Sequence, residues 1–271
     1  MKLKLEEGRR FDAILRSIKV VSKNDFCNKL NSFLRNPPGT RVSIGINQYS
    51  ALRATKDEGY LKYLTSARYN HPDGKPIAVI ANVVLKMKSR RTPTTDLLLE
   101  VLFHCAEARL YLFGSKPGVV EKVIGHLNSR YKNKLRGQIV GCHHGYLGKD
   151  QNEKILKDIQ SSGANTIFVG LGVPLQEKWA IDNRPLLRNV FIITCGGCFD
   201  FYTGDSFFPR APKIMQALGF EWLFRFVREP RRLWKRYLIG GLEFLFVLVK
   251  FVLYRIAKKL NPSDLSTDEI E

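Results

Sequence analysis

The stretch TIFVGLGVPLQEKW, Thr166 to Trp179, decides the fold. Its first half, 166–172, is a short, almost unbroken apolar run ending in glycine, and its second half opens on Pro174. A run of this kind reads as a strand buried on both faces. Proline suits the first turn of a helix, where its missing N–H breaks no bond. The unit is strand, glycine turn, helix, and it recurs in both directions. Strand-like runs are RVSIGIN (41–47), PIAVIA (76–81), RLYLFG (109–114), QIVGC (138–142) and VFIITC (190–195). Helix-like segments lie between them at 48–67, 94–108, 117–131, 152–163 and 174–187. This alternation predicts an α/β fold: a Rossmann-like, mostly parallel sheet with helices on both faces.

From about residue 206 no strand pattern remains, and Arg and Lys interleave with Trp, Phe and Tyr. The pattern predicts an α/β domain (1–205), a basic, apolar, helical appendage (206–260) and an acidic tail, NPSDLSTDEIE (261–271), expected to be disordered. The 271 residues carry 44 Lys and Arg against 25 acids, a formal charge of +19, which calls for an anionic partner. Arg210 to Lys259 alone holds 12 basic residues and three Glu, so about half the excess sits in fifty residues. With 44% hydrophobic residues, wholesale disorder is excluded. Five cysteines do not make a disulfide scaffold and point to a reducing compartment. The first residues, MKLKLEEGRRFDAILRSIKVV, lack the apolar core of a secretory signal.

Leu238 to Leu253 is a 16-residue apolar run interrupted by Glu243 and Lys250. As a helix it spans about 24 Å, short of the roughly 30 Å hydrocarbon core. Arg236, Glu243 and Lys250 fall seven apart on one stripe. The expectation is an amphipathic helix lying in the membrane interface, with this stripe toward anionic lipid headgroups.

Ligands of open α/β sheets bind beyond the carboxyl ends of the strands. Three strands end in glycine, at Gly114, at Gly170 with Gly172, and at Gly196 with Gly197. Glycine admits a phosphate or sugar to the backbone, so these ends suggest a nucleotide or nucleotide-sugar site, although each also serves a tight turn. None is a Walker A loop or a full GxGxxG fingerprint. His71-Pro-Asp-Gly74 is a turn in which Asp73 either acts as general base or satisfies its own turn backbone. Gln176 and Glu177 open the helix after the glycine loop, placed for ligand contact or for the helix dipole. Cys195-Gly-Gly-Cys198 and Cys142-His143-His144 offer soft ligands, but there is no second CxxC and Cys195 ends an apolar strand. There is no Asp-x-Asp. The expectation is a site without metal or other cofactor; if a diphosphate leaves here, Arg and Lys meet its charge.

PDG (72–74), TDL (95–97), LFGSKPGVVEKV (112–123), GYL (145–147), VGLGVPLQEKW (169–179), GGCFDFYTGD (196–205), RAP (210–212) and GFEWLFRFVREPRRLWKRY (219–237) occur in this order. Together they resemble the WecG/TagA/CpsF family of bacterial glycosyltransferases. The resemblance implies inverting, metal-independent transfer of a sugar from a nucleotide donor, commonly a UDP-sugar such as UDP-N-acetylmannosamine. The acceptor is a polyprenyl-diphosphate-linked sugar at the cytoplasmic face of the cell membrane, in cell-surface polysaccharide assembly. Asp73 takes the place of the family's base, and Gln176 that of its active-site Gln. The implied donor-binding set is Asn47, Asp96, Gly114, Gly170, Gly172, Glu177, Gly196, Gly197, Arg210, Arg225, Arg232 and Arg236. Where the family often has a catalytically implicated Thr, this chain has Gly45, with Ser43 two residues before. Expected partners are the donor, the lipid-linked acceptor and anionic membrane lipid, with the protein peripheral or monotopic, no nucleic acid bound, and oligomerisation open. The rival readings are an inactive scaffold of a polysaccharide assembly complex and a basic nucleic-acid-binding module.

Overall fold

The structure, a computed structural model, describes residues 2–131, 133–146, 148, 151–204 and 211–260. The tail 261–271 lies outside the described residues. Six strands, β1 (Arg41–Ile46), β2 (His71–Pro72), β3 (Arg109–Gly114), β4 (Gln138–His143), β5 (Thr166–Gly170) and β6 (Phe191–Thr194), form one sheet in the order β2-β1-β6-β5-β3-β4. Every pairing among the described residues is parallel. The expected α/β architecture is present.

The helices are α1 (Lys2–Arg16), α2 (Lys23–Arg35), α3 (Gln48–Lys56), α4 (Glu58–Thr65), α5 (Lys75–Leu85), α6 (Thr94–His104), α7 (Val119–Tyr131), α8 (Asn152–Ser161), α9 (Leu175–Asp182), α10 (Lys213–Leu218), α11 (Glu221–Arg228), α12 (Pro230–Trp234) and α13 (Gly240–Leu260). They cover both faces of the sheet. Along β3, Leu110 and Leu112 pack with Leu30 of α2, Leu98 of α6 and Val123 of α7, whereas Tyr111 and Phe113 pack into the cluster that holds Phe11 of α1, Ala51 of α3 and Trp179 of α9. Alternation along a strand thus feeds two cores. Each buried Leu or Phe contributes about 1.5–3 kcal/mol.

One expected strand is a helix. PIAVIA (76–81) lies in α5, with Ile77, Ala78 and Ala81 buried and Val79 and Val83 exposed. Pro76 sits in its first turn, and the apolar run continues to Leu85, longer than an ordinary strand. The strand beside β1 is instead His71–Pro72, pairing Gly45 with His71 and Ile46 with Pro72. Pro72 has no N–H with which to extend a ladder. The chain turns there, and the Asp73 and Gly74 N–H groups both donate to the Ile46 carbonyl (2.9 and 3.2 Å).

The C-terminal arm also differs from expectation. Lys235–Leu260 is one continuous helical stretch of 26 residues. At about 39 Å it is long enough to cross a bilayer, well beyond the 16-residue run. One face is docked on the domain. Phe11 of α1 meets Phe244 and Phe251 edge-on, with centroids at 5.7 and 5.2 Å. Two residues of the charged stripe pair with the domain: Glu243 with Lys56 of α3 (2.9 Å) and Lys250 with Glu7 of α1 (2.8 Å). Arg255 pairs with the buried Asp12 (3.1 Å). The outward face exposes Leu242, Leu245, Phe246, Val249, Val252 and Ile256.

The α1–α13 crossing is set by Gly8. A Cβ there would lie 2.5 Å from the Lys250 carbonyl oxygen and 2.9 Å from Tyr254 Cβ. Gly8→Val is expected to lower stability by about 1–3 kcal/mol, the scale of overpacking. In α7, a Cβ at Gly125 meets nothing within 4 Å. Gly125→Ala should therefore raise stability by up to about 1 kcal/mol. Thermal or denaturant unfolding of the two variants checks this pair of opposite signs.

Candidate active site at the carboxyl edge of the sheet

Asp73 is held from two sides. Asn47 caps α3: its Oδ1 accepts from the Tyr49 and Ser50 N–H groups (3.0 and 3.1 Å), and Ser50 Oγ accepts from the Asn47 N–H (3.0 Å). This capping box leaves Asn47 Nδ2 to donate to Asp73 Oδ2 (3.4 Å). The Thr94 N–H, at the head of α6, donates to Asp73 Oδ1 (2.9 Å). Each carboxylate oxygen is met by a group at a helix N-terminus. The side chain reaches across the sheet edge rather than back to its own turn.

Below Asp73 lies His71, fully buried. Its Nδ1 is 3.0 Å from Ser43 Oγ and its Nε2 is 3.1 Å from Thr94 Oγ1. Burial pushes the imidazole pKa down to about 4, with Asp73 opposing, so the ring is neutral at physiological pH.

The C-terminal arm seats on the same corner. Arg91 donates through Nε to the Asp73 carbonyl oxygen (3.1 Å) and through Nη2 to the buried Glu221 Oε2 at the start of α11 (2.7 Å). Arg225 lies 3.7 Å from the other Glu221 oxygen and stacks over the Phe201 ring at 4.3 Å. Arg236 stacks over Tyr49, two residues beyond Asn47, at 4.5 Å. Desolvation presses the Arg236 pKa below its ordinary value; the Arg225 charge acts the same way and Asp73 opposes it. Asp73, Arg225 and Arg236 therefore share one electrostatic neighbourhood. Arg232 lies in α12 with its side chain outside the described residues, as is all of Arg210.

The glycine ends divide into two kinds. A Cβ on Gly114, at φ +137°, would lie 2.4 Å from the Gly170 carbonyl oxygen, and one on Gly170 would lie 2.8 Å from that of Gly196. These two glycines let neighbouring strand ends approach each other. Gly172 has nothing within 4 Å of a Cβ, and the nearest atom to one on Gly196 is Gln176 Oε1 at 4.0 Å. These open positions leave room for a ligand; a Cβ on Gly197 would lie 3.3 Å from Asp200 Oδ2. The connection after β3 runs outward through α7 on one face, whereas that after β5 runs back through α9 on the other. The strand order thus reverses between β3 and β5, the place where open α/β sheets take their ligands.

Gln176 and Glu177 are both buried. The Gly196 N–H donates to Gln176 Oε1 (2.7 Å), and Gln176 Nε2 donates to Glu177 Oε1 (2.7 Å). Glu177 has no exposed surface, and its Oε1 holds the Gln176 amide. Burial raises its pKa to about 7, against the Gln176 hydrogen bond. Asp96, in the first turn of α6, lies 3.5 Å from Lys23 of α2, which also binds Glu100. Cys195 and Cys198 are buried free thiols. Among the described residues, no group of three or more His, Cys, Asp or Glu is arranged to hold a metal ion.

Arg91, Glu221 and Thr94 had no role in the sequence reading. Arg91 follows a stretch without clear periodicity, and its partners are 18 and 130 residues away. The one local signal was the threonine-rich PTTD (93–96), which suits a helix start.

Residues 12–258 match the model of the glycosyl transferase WecG/TagA/CpsF family. A Bacillus subtilis (strain 168) protein, N-acetylglucosaminyldiphosphoundecaprenol N-acetyl-beta-D-mannosaminyltransferase, is 31% identical over 195 residues, covering 71% of this chain and 73% of the relative.

The buried Glu177 carries a pH signature. A carboxyl whose folded pKa is raised to about 7 favours the folded state most below its unfolded value. That contribution is lost as pH rises through about 7, by an amount on the order of 3 kcal/mol. Glu177→Gln should remove this dependence. The difference in unfolding free energy between pH 5 and pH 8 is then smaller in the variant, as denaturant titrations at the two pH values would measure.

Proposed function

The chain belongs to the WecG/TagA/CpsF family of glycosyl transferases, and from that premise we propose that it moves a sugar from a UDP-sugar to a polyprenyl-diphosphate-linked sugar, with inversion, at the cytoplasmic face of the membrane. The observation that carries this reading is the Asp73 corner: a carboxylate oriented by Asn47 and Thr94, with Arg225 and Arg236 in its electrostatic neighbourhood. A base and a diphosphate-binding pair side by side are what the reaction needs. Asp73 accepts the proton of the acceptor hydroxyl. That oxygen attacks the anomeric carbon from the face opposite the nucleotide. The carbon–oxygen bond to the diphosphate breaks, and its electron pair leaves on the phosphate oxygen. Arg225 and Arg236 offset the developing charge, with Arg210 and Arg232 completing the set. No Asp-x-Asp is present for a divalent ion, and the diphosphate charge falls to arginine. The undecaprenol-linked acceptor in the relative's name supports a lipid-linked acceptor.

The exposed face of α13 supports membrane attachment in the plane of one leaflet. Carrying this helix across the hydrocarbon core would drag Lys56, Glu7 and Asp12 with its paired charges. Lying flat, it buries Leu242, Phe246 and Val249 and keeps every ion pair. The five free thiols agree with the reducing side of the membrane.

Asp73→Asn should leave the fold and UDP binding intact and lower transfer by about 10²-fold or more, the scale of a lost general base. The assay is run in EDTA, since the proposed chemistry uses no metal. Normal turnover by the folded variant would place the base elsewhere. Because α13 covers Phe11, removing the helix would uncover the core. Charge on its outer face is the cleaner test. Leu242→Glu, Phe246→Glu and Val249→Glu together should abolish flotation with anionic liposomes while far-UV circular dichroism is unchanged. Undiminished flotation would mean that another surface is the anchor.

A further inference from the structure

Beneath Asp73 runs a chain of polar side chains to which the transfer chemistry assigns no part, and the direction of its hydrogen bonds can be derived. Ser43 Oγ lies 2.6 Å from the Tyr69 carbonyl oxygen, which only accepts, so the serine gives its single proton there. The same Oγ lies 3.0 Å from His71 Nδ1 and must accept from it, so Nδ1 carries the ring proton. The buried ring is neutral. Its Nε2 is therefore a bare acceptor, and Thr94 Oγ1, 3.1 Å away, donates to it. Protons point from Thr94 to His71, from His71 to Ser43, and from Ser43 to the Tyr69 carbonyl. The chain starts on the residue whose backbone N–H holds Asp73 Oδ1 at 2.9 Å.

Gly45 stands opposite His71 in the β1–β2 pairing. A Cβ at position 45 would lie 2.7 Å from Thr94 Oγ1, 3.1 Å from His71 Nε2 and 3.2 Å from Asp73 Cβ. Any side chain there would push into the hydroxyl–imidazole bond. The bare position at 45 and the hydroxyl at 94 are one arrangement: the first is the space that the second occupies.

We propose that Thr94 is a positioning residue for sugar transfer: its hydroxyl, anchored on His71, fixes the N–H at the head of α6 that aims the Asp73 carboxylate, and Gly45 supplies the room this anchor needs. The proposal rests on the reading of Asp73 as the base. A misaimed base is felt in the transition state and not in ground-state binding, so the loss falls on kcat and not on KM.

The test is steady-state transfer by the full-length protein in detergent, with a UDP-sugar and a polyprenyl-diphosphate-linked acceptor, beside thermal unfolding of each variant. Thr94→Val keeps the branched shape and the N–H but removes the anchor. Its kcat should fall by about 10-fold, with both KM values within about two-fold of the parent. Thr94→Ser, which keeps the hydroxyl, should restore most of the rate. Gly45→Ala reaches the same hydrogen bond from the other side and serves if Thr94→Val does not fold. It should slow the parent but add little to Thr94→Val, the coupling expected of two residues acting through one bond. The proposal is overturned by a parental kcat in Thr94→Val, by Thr94→Ser being as slow as Thr94→Val, or by independent, multiplying effects of Gly45→Ala and Thr94→Val. Asp73→Asn measured alongside separates the two claims. If it is inactive while Thr94→Val is normal, only the positioning role falls; if it is fully active, the base assignment itself falls.

Discussion

A sheet whose strands all run parallel must present every carboxyl end, and the helix N-terminus that follows each, along one edge. That constraint assembles the site. Asn47 follows β1, Asp73 follows β2 and Gln176 opens α9 after β5, while Gly196 lies just beyond β6. Residues separated by up to 150 positions become neighbours because the register of five parallel pairings leaves them nowhere else to go. The two-residue strand His71–Pro72 shows the constraint most sharply. It is long enough only to set Gly45 against His71 and Ile46 against Pro72, and the chain then turns Asp73 over the strand ends.

Charge placement gives the C-terminal arm its orientation. An α-helix with an apolar run and a charged stripe has two ways to lie, and the partners decide. Here α1 offers Glu7 and Asp12 and α3 offers Lys56, so Glu243, Lys250 and Arg255 turn inward. Ion pairs on a partly exposed surface are individually weak, about 0–1 kcal/mol. The aromatic contacts of Phe11 and the close crossing at Gly8 supply the packing, and the pairs set its rotation. The apolar face is left outward as a consequence. The Arg91–Glu221 bridge does the same for α11 at the other end of the arm, tying it to the Asp73 backbone.

Buried polar groups beneath the site define its geometry. Glu177 fixes which way the Gln176 amide points, and Gly196 confirms it from the opposite side. The Ser43–His71–Thr94 chain does likewise for the N–H on Asp73. In both cases a titratable side chain is held in the low-dielectric interior with its protonation altered in the direction that burial demands: His71 toward neutral by a lowered pKa, Glu177 toward neutral by a raised one.

Read alone, the residues determined the strand–helix units, the parallel α/β class and the apolar C-terminal helix, because each is written in neighbouring positions: a run length, or a glycine or proline at a fixed offset. The segment 76–85 shows where local pattern stops, since an apolar run fits strand or helix until its packing partners are known; here Ile77, Ala78 and Ala81 turn to the core at helical spacing. Likewise Glu177 at a helix start beside a glycine loop suits a ligand or the helix dipole, and only the tertiary structure shows it buried with its carboxylate on the Gln176 amide. Arg91 with Glu221, Gly45 with Thr94 and the inward rotation of the Glu243–Lys250 stripe depended on tertiary structure throughout. Their partners lie 130, 49 and 187 or more residues away, and no local periodicity records which distant charge or hydroxyl the fold will bring into reach.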